Sequence, residues 1–502
     1  MDCLVALDAG TGSGRCVVYD AAGRPLASAR EPFHYRPVPD PAMPFARGFD
    51  LDPAEFWGVL ARCTRQALHA LPAGARIRGV AATSQREGCV LLDRDGTVLY
   101  AGPNVDARAV LEGMEALQRM SADRLHAITG HVPPHVFPLV RWLWFCKHGD
   151  ASRAAVLLML SDWITYRLCD ARVAEPSNAC ETMLYDVARR EWSAEILDTF
   201  GVPRSILPAL HRAGEQVGTV TAAAAAATGL PAGTPVFVGG ADTECALLGS
   251  GALQPGDTAA ILGSTCPVQT VLDAPLLDPN ANLWTCCHVV DGRWALESNA
   301  GDTGGTYRWL LRLFYGSYDA AAHTMAERAM ARAGEPVRPV ACFVGPTVFN
   351  VRSMNPFRPA GLLFRFPLLH VDRPSAGDLL RGFVENVAFA VRANLEQLAA
   401  VTGRPAATLA VSGGMAQGRT LLRVLADTLA FPLAVARVPE SASLGCAILA
   451  ATGAGLHANV GDAVRAMVRT EPLVPDPARV PAHDERYRKW RELYAALEAQ
   501  TL

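Results

Sequence analysis

Asp8 closes the apolar run Leu4-Val5-Ala6-Leu7, and only the small residues Ala9-Gly10-Thr11-Gly12-Ser13-Gly14 separate it from Arg15. A carboxylate and a guanidinium therefore flank a turn with hydroxyls and little bulk. A bare carboxylate repels phosphate, but it becomes useful when magnesium lies between the two. That ion favours one or two carboxylates together with phosphate oxygens and water. Asp8, Thr11, Gly12, Ser13 and Arg15 form one candidate site, against the alternative of an ordinary hairpin with glycine turn chemistry. Asp242 forms a second, where the run Val236-Phe237-Val238-Gly239-Gly240-Ala241 ends. A carboxylate there is placed to hydrogen-bond a substrate hydroxyl, and phosphoryl transfer asks such a base for position more than for strength. The same residue also fits a cap on a helix beginning at Glu244. Arg86 and Glu87 follow the strand-like Val80 to Thr83. Adjacent donor and acceptor side chains suit a polyol, which offers both roles at every carbon; the alternative is a solvated ion pair at a turn. Asp106 and Arg108 divide in the same way between a second clamp and a structural salt bridge.

The elements that must position these groups are legible in outline. Leu4 to Leu7 and Cys16 to Tyr19 read as strands joined by the glycine turn, and a third strand follows Asp20-Ala21-Ala22-Gly23. A dinucleotide fold needs a helix directly after its glycines. Here β-formers follow, which argues against a nicotinamide-dependent oxidoreductase. Asp52 fits an N-cap with Pro53 at the first helical position, for a helix running to about Ala70. Further strands are expected over 77–83 and 89–93, and helices over 109–119, 136–147 and 158–168. After Asp242 the pattern restarts. Thr258 to Leu262 is apolar, Gly263 to Pro267 is a turn of small residues, and Val268 to Val271 is strand-like. This repeats the opening hairpin, and two such hairpins in two domains would face each other across a cleft. Asp378 to about Ala400 has helical periodicity. Leu409-Ala410-Val411 runs through Ser412-Gly413-Gly414 into a helix from about Arg419, which suits a nucleotide. Ser441 to Ala447 opens another helix. Pro472 to Pro481 reads as a connector, and a last helix is expected over about 484–500. Trp163, Trp192 and Trp309 are assigned to the core.

The chain has 502 residues, a net charge of −3, half its residues hydrophobic and 19% charged. That length favours two large domains. The expected boundaries are 1–246, 247–470 and a connector with a helix over 471–502. No basic stripe argues for nucleic acid. No apolar run reaches the roughly 18 residues needed to span a bilayer, and the opening lacks the features of a signal peptide. A cytoplasmic protein with reduced, mostly buried thiols is expected from the 13 cysteines, none spaced C-x-x-C. The histidines show no metal-ligand spacing.

Several runs occur in an order that resembles the FGGY carbohydrate kinases, a branch of the actin-like ATPase superfamily. They are Leu7 to Arg15, Gln85-Arg86-Glu87, Gly239-Gly240-Ala241-Asp242, Gly263-Ser264-Thr265, Gly304-Gly305 before Trp309, Ser412-Gly413-Gly414, and Ser443-Leu444-Gly445-Cys446-Ala447. The resemblance implies an α/β fold of two actin-like (ribonuclease H-like) domains with a cleft between them. It implies transfer of the γ-phosphate of ATP to a hydroxyl of a small sugar, ketose or polyol. By the same resemblance Asp242 is the general base, and Asp8 and Asp242 attend Mg2+. Thr11, Gly12, Ser13 and Arg15 lie near the transferring phosphate. Gly263 and Thr265 contact nucleotide phosphates, and Gly304, Arg308, Gly413, Gly414 and Gly418 lie along ATP. Arg86, Glu87, Asp106 and Asp242 bind substrate. Within the family, Arg86-Glu87-Gly88, Asn104-Val105-Asp106-Ala107-Arg108-Ala109, Ser161-Asp162-Trp163 and Pro176-Ser177-Asn178-Ala179 are most similar to autoinducer-2 kinases, whose substrate is a small linear sugar of dihydroxy-dione type. A pentulose or polyol stays open, although xylulose kinases usually carry Gln-Met-His-Gly at Gln85 to Gly88. The chain departs from the family pattern at Leu139, where a lysine is frequent, at Arg308, where a glutamine is, and at Gly418, which replaces a side chain able to bond the base. An actin-like nucleotide-binding ATPase or sugar-sensing regulator without kinase activity is the alternative, and a homodimer is left open.

Overall fold

The computed structural model describes residues 1–39, 47–333, 340–352, 358–364 and 373–500. Strand β1 (Asp2–Gly10) is buried along Cys3 to Ala9, as expected of a central strand covered on both faces. It turns through Thr11-Gly12 into β2 (Ser13–Asp20), antiparallel, with Gly10 opposite Ser13 and Asp8 opposite Arg15. β3 (Pro25–Pro32) continues the meander. α1 (Pro53–His69) begins as its sequence directs: the Asp52 carboxylate accepts from the backbone N–H groups of Ala54 at 2.9 Å and Glu55 at 3.2 Å. Its buried face, including Phe56, Trp57, Val59, Leu60 and Cys63, joins the core with alternate residues of β1 and β2.

β4 (Arg76–Ser84) runs parallel to β1, pairing Asp8 with Thr83. β5 (Gln216–Thr219) and β6 (Pro235–Ala241) complete the sheet, β6 parallel to β4 with Gly240 against Thr83. The strand order is β5-β6-β4-β1-β2-β3. β1, β4 and β6 therefore end at the same edge of the sheet, the edge at which open α/β sheets bind ligands.

A second sheet repeats this plan. β7 (Thr258–Ile261) and β8 (Thr265–Leu272) form an antiparallel hairpin. β9 (Trp294–Asp302), β10 (Leu409–Ser412), β11 (Leu433–Ala436) and β12 (Thr470–Leu473) extend it in the order β9-β8-β7-β10-β11-β12. β10 is parallel to β7, β11 is parallel to β10, and β12 is antiparallel to β11. Hairpin, two parallel neighbours and an antiparallel edge recur, the second sheet having one further strand, Trp284–Cys287, next to β9; this is the repeat glimpsed in the two turns.

The chain divides into two compact units. Unit 1 holds Met1–Pro255, Val271–Leu296 and Glu440–Val468, and unit 2 holds Gly256–Thr270, Glu297–Pro439 and Arg469–Leu502. The helix Ser441–Gly453, read from sequence with the second domain, is thus built into unit 1.

Some local readings are corrected. Leu158 and Met159 lie in a strand, Val156–Met159, and the helix begins at Leu160; a short apolar run does not distinguish the two by pattern. Thr265 to Pro267 are strand rather than turn. Pro472 sits in β12, an edge strand, where its missing N–H is tolerated. The last helix starts at Val480. Trp163 and Trp192 are buried, but Trp309 is 52% exposed. All 13 cysteines are free thiols and 11 of them are buried. Among the described residues no helix is long and apolar enough to cross a membrane.

Candidate functional site

Three loops leave the common edge of the unit 1 sheet, and each carries candidate groups. In the hairpin, Arg15 Nη1 lies 3.4 Å from Asp8 Oδ2. Asp8 is buried. Loss of hydration raises its pKa, and Arg15 and Arg30 only partly offset this. The turn is braced from outside. Asn104 donates to Thr11 Oγ1 at 2.9 Å, Arg30 to Ser13 Oγ at 2.8 Å, and the Gln85 amide to Gly10 O at 3.3 Å and Tyr35 Oη at 2.9 Å. Its glycines differ. A Cβ on Gly14 would stand 2.8 Å from Val59 Cγ1, so packing requires glycine there. A Cβ on Gly12 would meet nothing within 4 Å, so nothing in the protein itself demands glycine at that exposed position.

The second loop opens a helix, α2 (Asp242–Gly249). Asp242 is its first residue and the cap position is Ala241, so the sequence-based cap is corrected; the Asp242 carboxylate accepts from Thr243 Oγ1 at 3.3 Å. The strand that delivers it is tightly placed. A Cβ on Gly239 would lie 1.8 Å from Ala82 O, and Ser177 Oγ accepts from Ala241 N at 3.0 Å. Asp242 is partly exposed. Loss of hydration, then the Asp8 carboxylate, raises its pKa to about 7, opposed by Arg86.

The third loop follows β4. Glu87 adopts a left-handed backbone, φ 56°, an unfavourable state for a residue with a Cβ. Buried Arg141 holds it there, donating to Glu87 O at 2.6 Å and also to Asn104 O and Asp106 O at 3.3 and 3.1 Å. Arg86 and Glu87 are both buried, which removes the solvated ion pair from consideration. Arg86 reaches Glu181 at 3.4 Å, Glu244 at 3.7 Å and Glu87 at 4.0 Å, and its guanidinium lies 5.7 Å from the Trp284 ring. Burial pushes the Glu87 carboxyl up. Burial also opposes ionisation of Glu181, but Arg86 and His131 override it and hold that carboxyl below the usual range.

Asp106 is engaged otherwise. It accepts from Phe49 N at 2.9 Å, Tyr100 Oη at 2.5 Å and Arg108 Nε at 2.8 Å, while Arg108 also reaches Asp50 at 2.7 Å. Of the two readings of this pair, the structure displays the salt bridge.

In unit 2 three segments converge. Leu262 N donates to Ser412 O at 2.8 Å and Met415 N to Leu262 O at 3.1 Å; Gly304 N donates to Gly263 O at 3.1 Å and Thr303 N to Ser264 O at 3.1 Å. A Cβ on Gly304 would lie 2.3 Å from Gly263 O, and one on Gly413 (φ 96°) 2.5 Å from Leu262 O, so both glycines are needed for this approach. Ser264 and Thr265 remain exposed, and Arg308, on α3 (Gly304–Tyr315), donates to Ser264 Oγ at 3.3 Å. Gly263, Thr265, Gly304, Arg308, Gly413 and Gly414 are thus brought together. Gly418 stands apart, before the helix Arg419–Leu429 and near Glu327, which accepts from Thr420 Oγ1 at 2.8 Å.

Sequence reasoning missed Arg141 and Glu181. Their partners are carbonyls and charges remote in sequence, and no local pattern marks either residue.

Residues 3–249 match the family model described as FGGY family of carbohydrate kinases, N-terminal domain, and residues 258–454 match the corresponding C-terminal domain. An autoinducer-2 kinase of Escherichia coli (strain SMS-3-5 / SECEC) is 34% identical over 506 residues, covering 98% of this chain and 94% of that protein. An autoinducer-2 kinase of Yersinia enterocolitica serotype O:8 / biotype 1B is 36% identical over 484 residues, covering 94% and 90%. The crystal structure of xylulose kinase from Rhodospirillum rubrum is similar with a TM-score of 0.82 at 27% identity, over 99% of each chain. Plasmodium falciparum glycerol kinase with ADP shares the fold, with a TM-score of 0.83 at 18% identity over 100% of this chain and 99% of that one.

Proposed function

The chain belongs to the FGGY family of carbohydrate kinases and is an ATP-dependent sugar kinase; from that premise we propose that its acceptor is a small linear ketose of the autoinducer-2 type or a pentulose, with Asp242 as general base. The observation that carries the role of Asp242 is its carboxyl at the first residue of α2, where β6 ends, with a pKa raised to about 7. A base of that strength accepts a hydroxyl proton near neutral pH without holding its own proton too tightly. The acceptor class rests on the relatives named autoinducer-2 kinase and on the Arg86-Glu87 pair, where a buried guanidinium and a buried carboxyl offer a donor and an acceptor side by side.

The other roles follow the chemistry of each loop. Thr11, Gly12, Ser13 and Arg15 would meet the transferring phosphate; open space at Gly12 suits a close ligand. Gly263, Thr265, Gly304, Arg308, Gly413 and Gly414 would hold the nucleotide, with Gly418 further along it. Asp106 serves the fold by anchoring the loop that bears Asn104. Asp8 and Asp242 fit magnesium, since Asp8 raises the proton affinity of Asp242 and two such neighbouring carboxylates are a donor set for a hard cation. When bound, that ion would neutralise phosphate charge. Arg86 and Glu87 fix the sugar, so that one hydroxyl is presented to Asp242.

A phosphorylation screen over C3 to C6 ketoses, polyols and the autoinducer-2 precursor tests this reading. One linear ketose should stimulate ADP release from MgATP far above the rest. ATPase activity indifferent to every sugar would return the chain to a regulator or plain ATPase.

A further inference from the structure

Arg86 is gripped from behind by a chain of buried groups. Its Nη1 lies 3.4 Å from Glu181 Oε1, and His131 Nε2 lies 3.4 Å from the same oxygen. His131 and Glu181 are both fully buried. His131 Nδ1 is 2.8 Å from the carbonyl of Thr129. A carbonyl only accepts, so this contact places a hydrogen on Nδ1 and leaves Nε2 facing Glu181. Cys286 Sγ lies 3.6 Å from the same Nε2, so ring, carboxylate and thiol meet at one point behind Arg86. The ring is fixed by Phe137 and Trp284, with centroids 5.5 and 5.2 Å away. Glu181 Oε2 has no hydrogen-bond partner, so the carboxylate is held from its Oε1 side, by Arg86 and His131.

His131, Glu181 and Cys286 would also offer a metal three ligand atoms within 4.8 Å of one another. The guanidinium of Arg86, 3.4 Å from Glu181 and 4.0 Å from Cys286 Sγ, already supplies the positive charge there. The cluster is arranged around a fixed arginine rather than around an ion.

We propose that His131 and Glu181 are positioning residues: His131 holds Glu181, Glu181 holds Arg86, and the line sets the aim of the guanidinium at the acceptor hydroxyls. The inference rests on the reading of Arg86 as an acceptor ligand. A guanidinium on a long flexible stem binds well only if its orientation is settled beforehand. Relaxing the line therefore weakens acceptor binding without touching the nucleotide.

The test uses Glu181→Gln, which keeps shape and removes charge, and His131→Asn, which can keep the Thr129 contact while losing Nε2. Each should raise KM for the acceptor about tenfold, leave KM for ATP unchanged, and lower kcat much less. In an Arg86→Ala background Glu181→Gln should add nothing further. Additive effects, or an unchanged acceptor KM in both folded variants while Arg86→Ala raises it, would overturn the proposal. If Arg86→Ala itself leaves acceptor KM unchanged, the reading of Arg86 fails instead. Should one variant not fold, the other carries the test.

Discussion

Asp8 raises the proton affinity of Asp242, although the two residues lie 234 positions apart, one within β1 and the other just after β6. Thr83 connects them: it is paired with Asp8 across β1 and β4 and with Gly240 across β4 and β6, and its hydroxyl donates to Gly240 O at 2.8 Å. One strand thus sets the spacing of two carboxylates.

Asp242→Asn should lower phosphoryl transfer at least about a thousandfold, measured as acceptor-dependent ADP release. It should also change how stability depends on pH. The folded pKa of about 7 lies above the unfolded value of ~3.9. The wild-type contribution is therefore fully present below ~3.9 and lost as pH rises through about 7. In magnesium-free buffer the variant should melt above the wild type at pH 8, with the gap narrowing at pH 6. A constant gap, or one of opposite sign, would show that the pKa of the Asp242 carboxyl is not raised in the folded protein.

Arg141→Met should destabilise unit 1 by about 3 kcal/mol, because buried carbonyls of Glu87, Asn104 and Asp106 lose a charged donor. Denaturant unfolding measures this. Acceptor KM should rise as well, since Glu87 would be released from its left-handed conformation.

The two hairpin glycines should separate packing from ligand approach. Gly14→Ala drives a methyl against Val59 and Phe33 and should cost about 2 kcal/mol. Gly12→Ala should change stability by less than about 0.5 kcal/mol while raising KM for ATP about tenfold. Thermal melts and initial rates on both variants decide it; equal KM values would detach Gly12 from the phosphate.

The opening hairpin, its echo in unit 2 and the strand–glycine turn–helix segment at Leu409 to Arg419 were legible because turn residues and apolar runs are local signals. Asp242 could be placed at a strand end, but its position as first helical residue instead of cap was hidden, since the same residue type suits both. Arg141 and Glu181 were invisible for a different reason. A buried charge is explained by its partners, and theirs lie dozens of residues away. Trp309 went wrong because a helix pattern does not say which face a large ring takes. Val156–Met159 went wrong because four apolar residues fit either element.

Gly445 and Gly249 let the helix Ser441–Gly453 lie directly on α2: a Cβ on Gly445 would be 1.9 Å from Cys245 O, and one on Gly249 2.0 Å from Ser441 O. Tyr19 Oη and Ser443 Oγ, 2.8 Å apart, tie the same helix to β2. The helix that starts with Asp242 is therefore clamped by a segment translated some two hundred residues later. A ribosome releasing the first half of the chain has not yet made all of unit 1. Residues 1–255 alone lack the surface that Gly445 and Ser443 supply to α2 and β2.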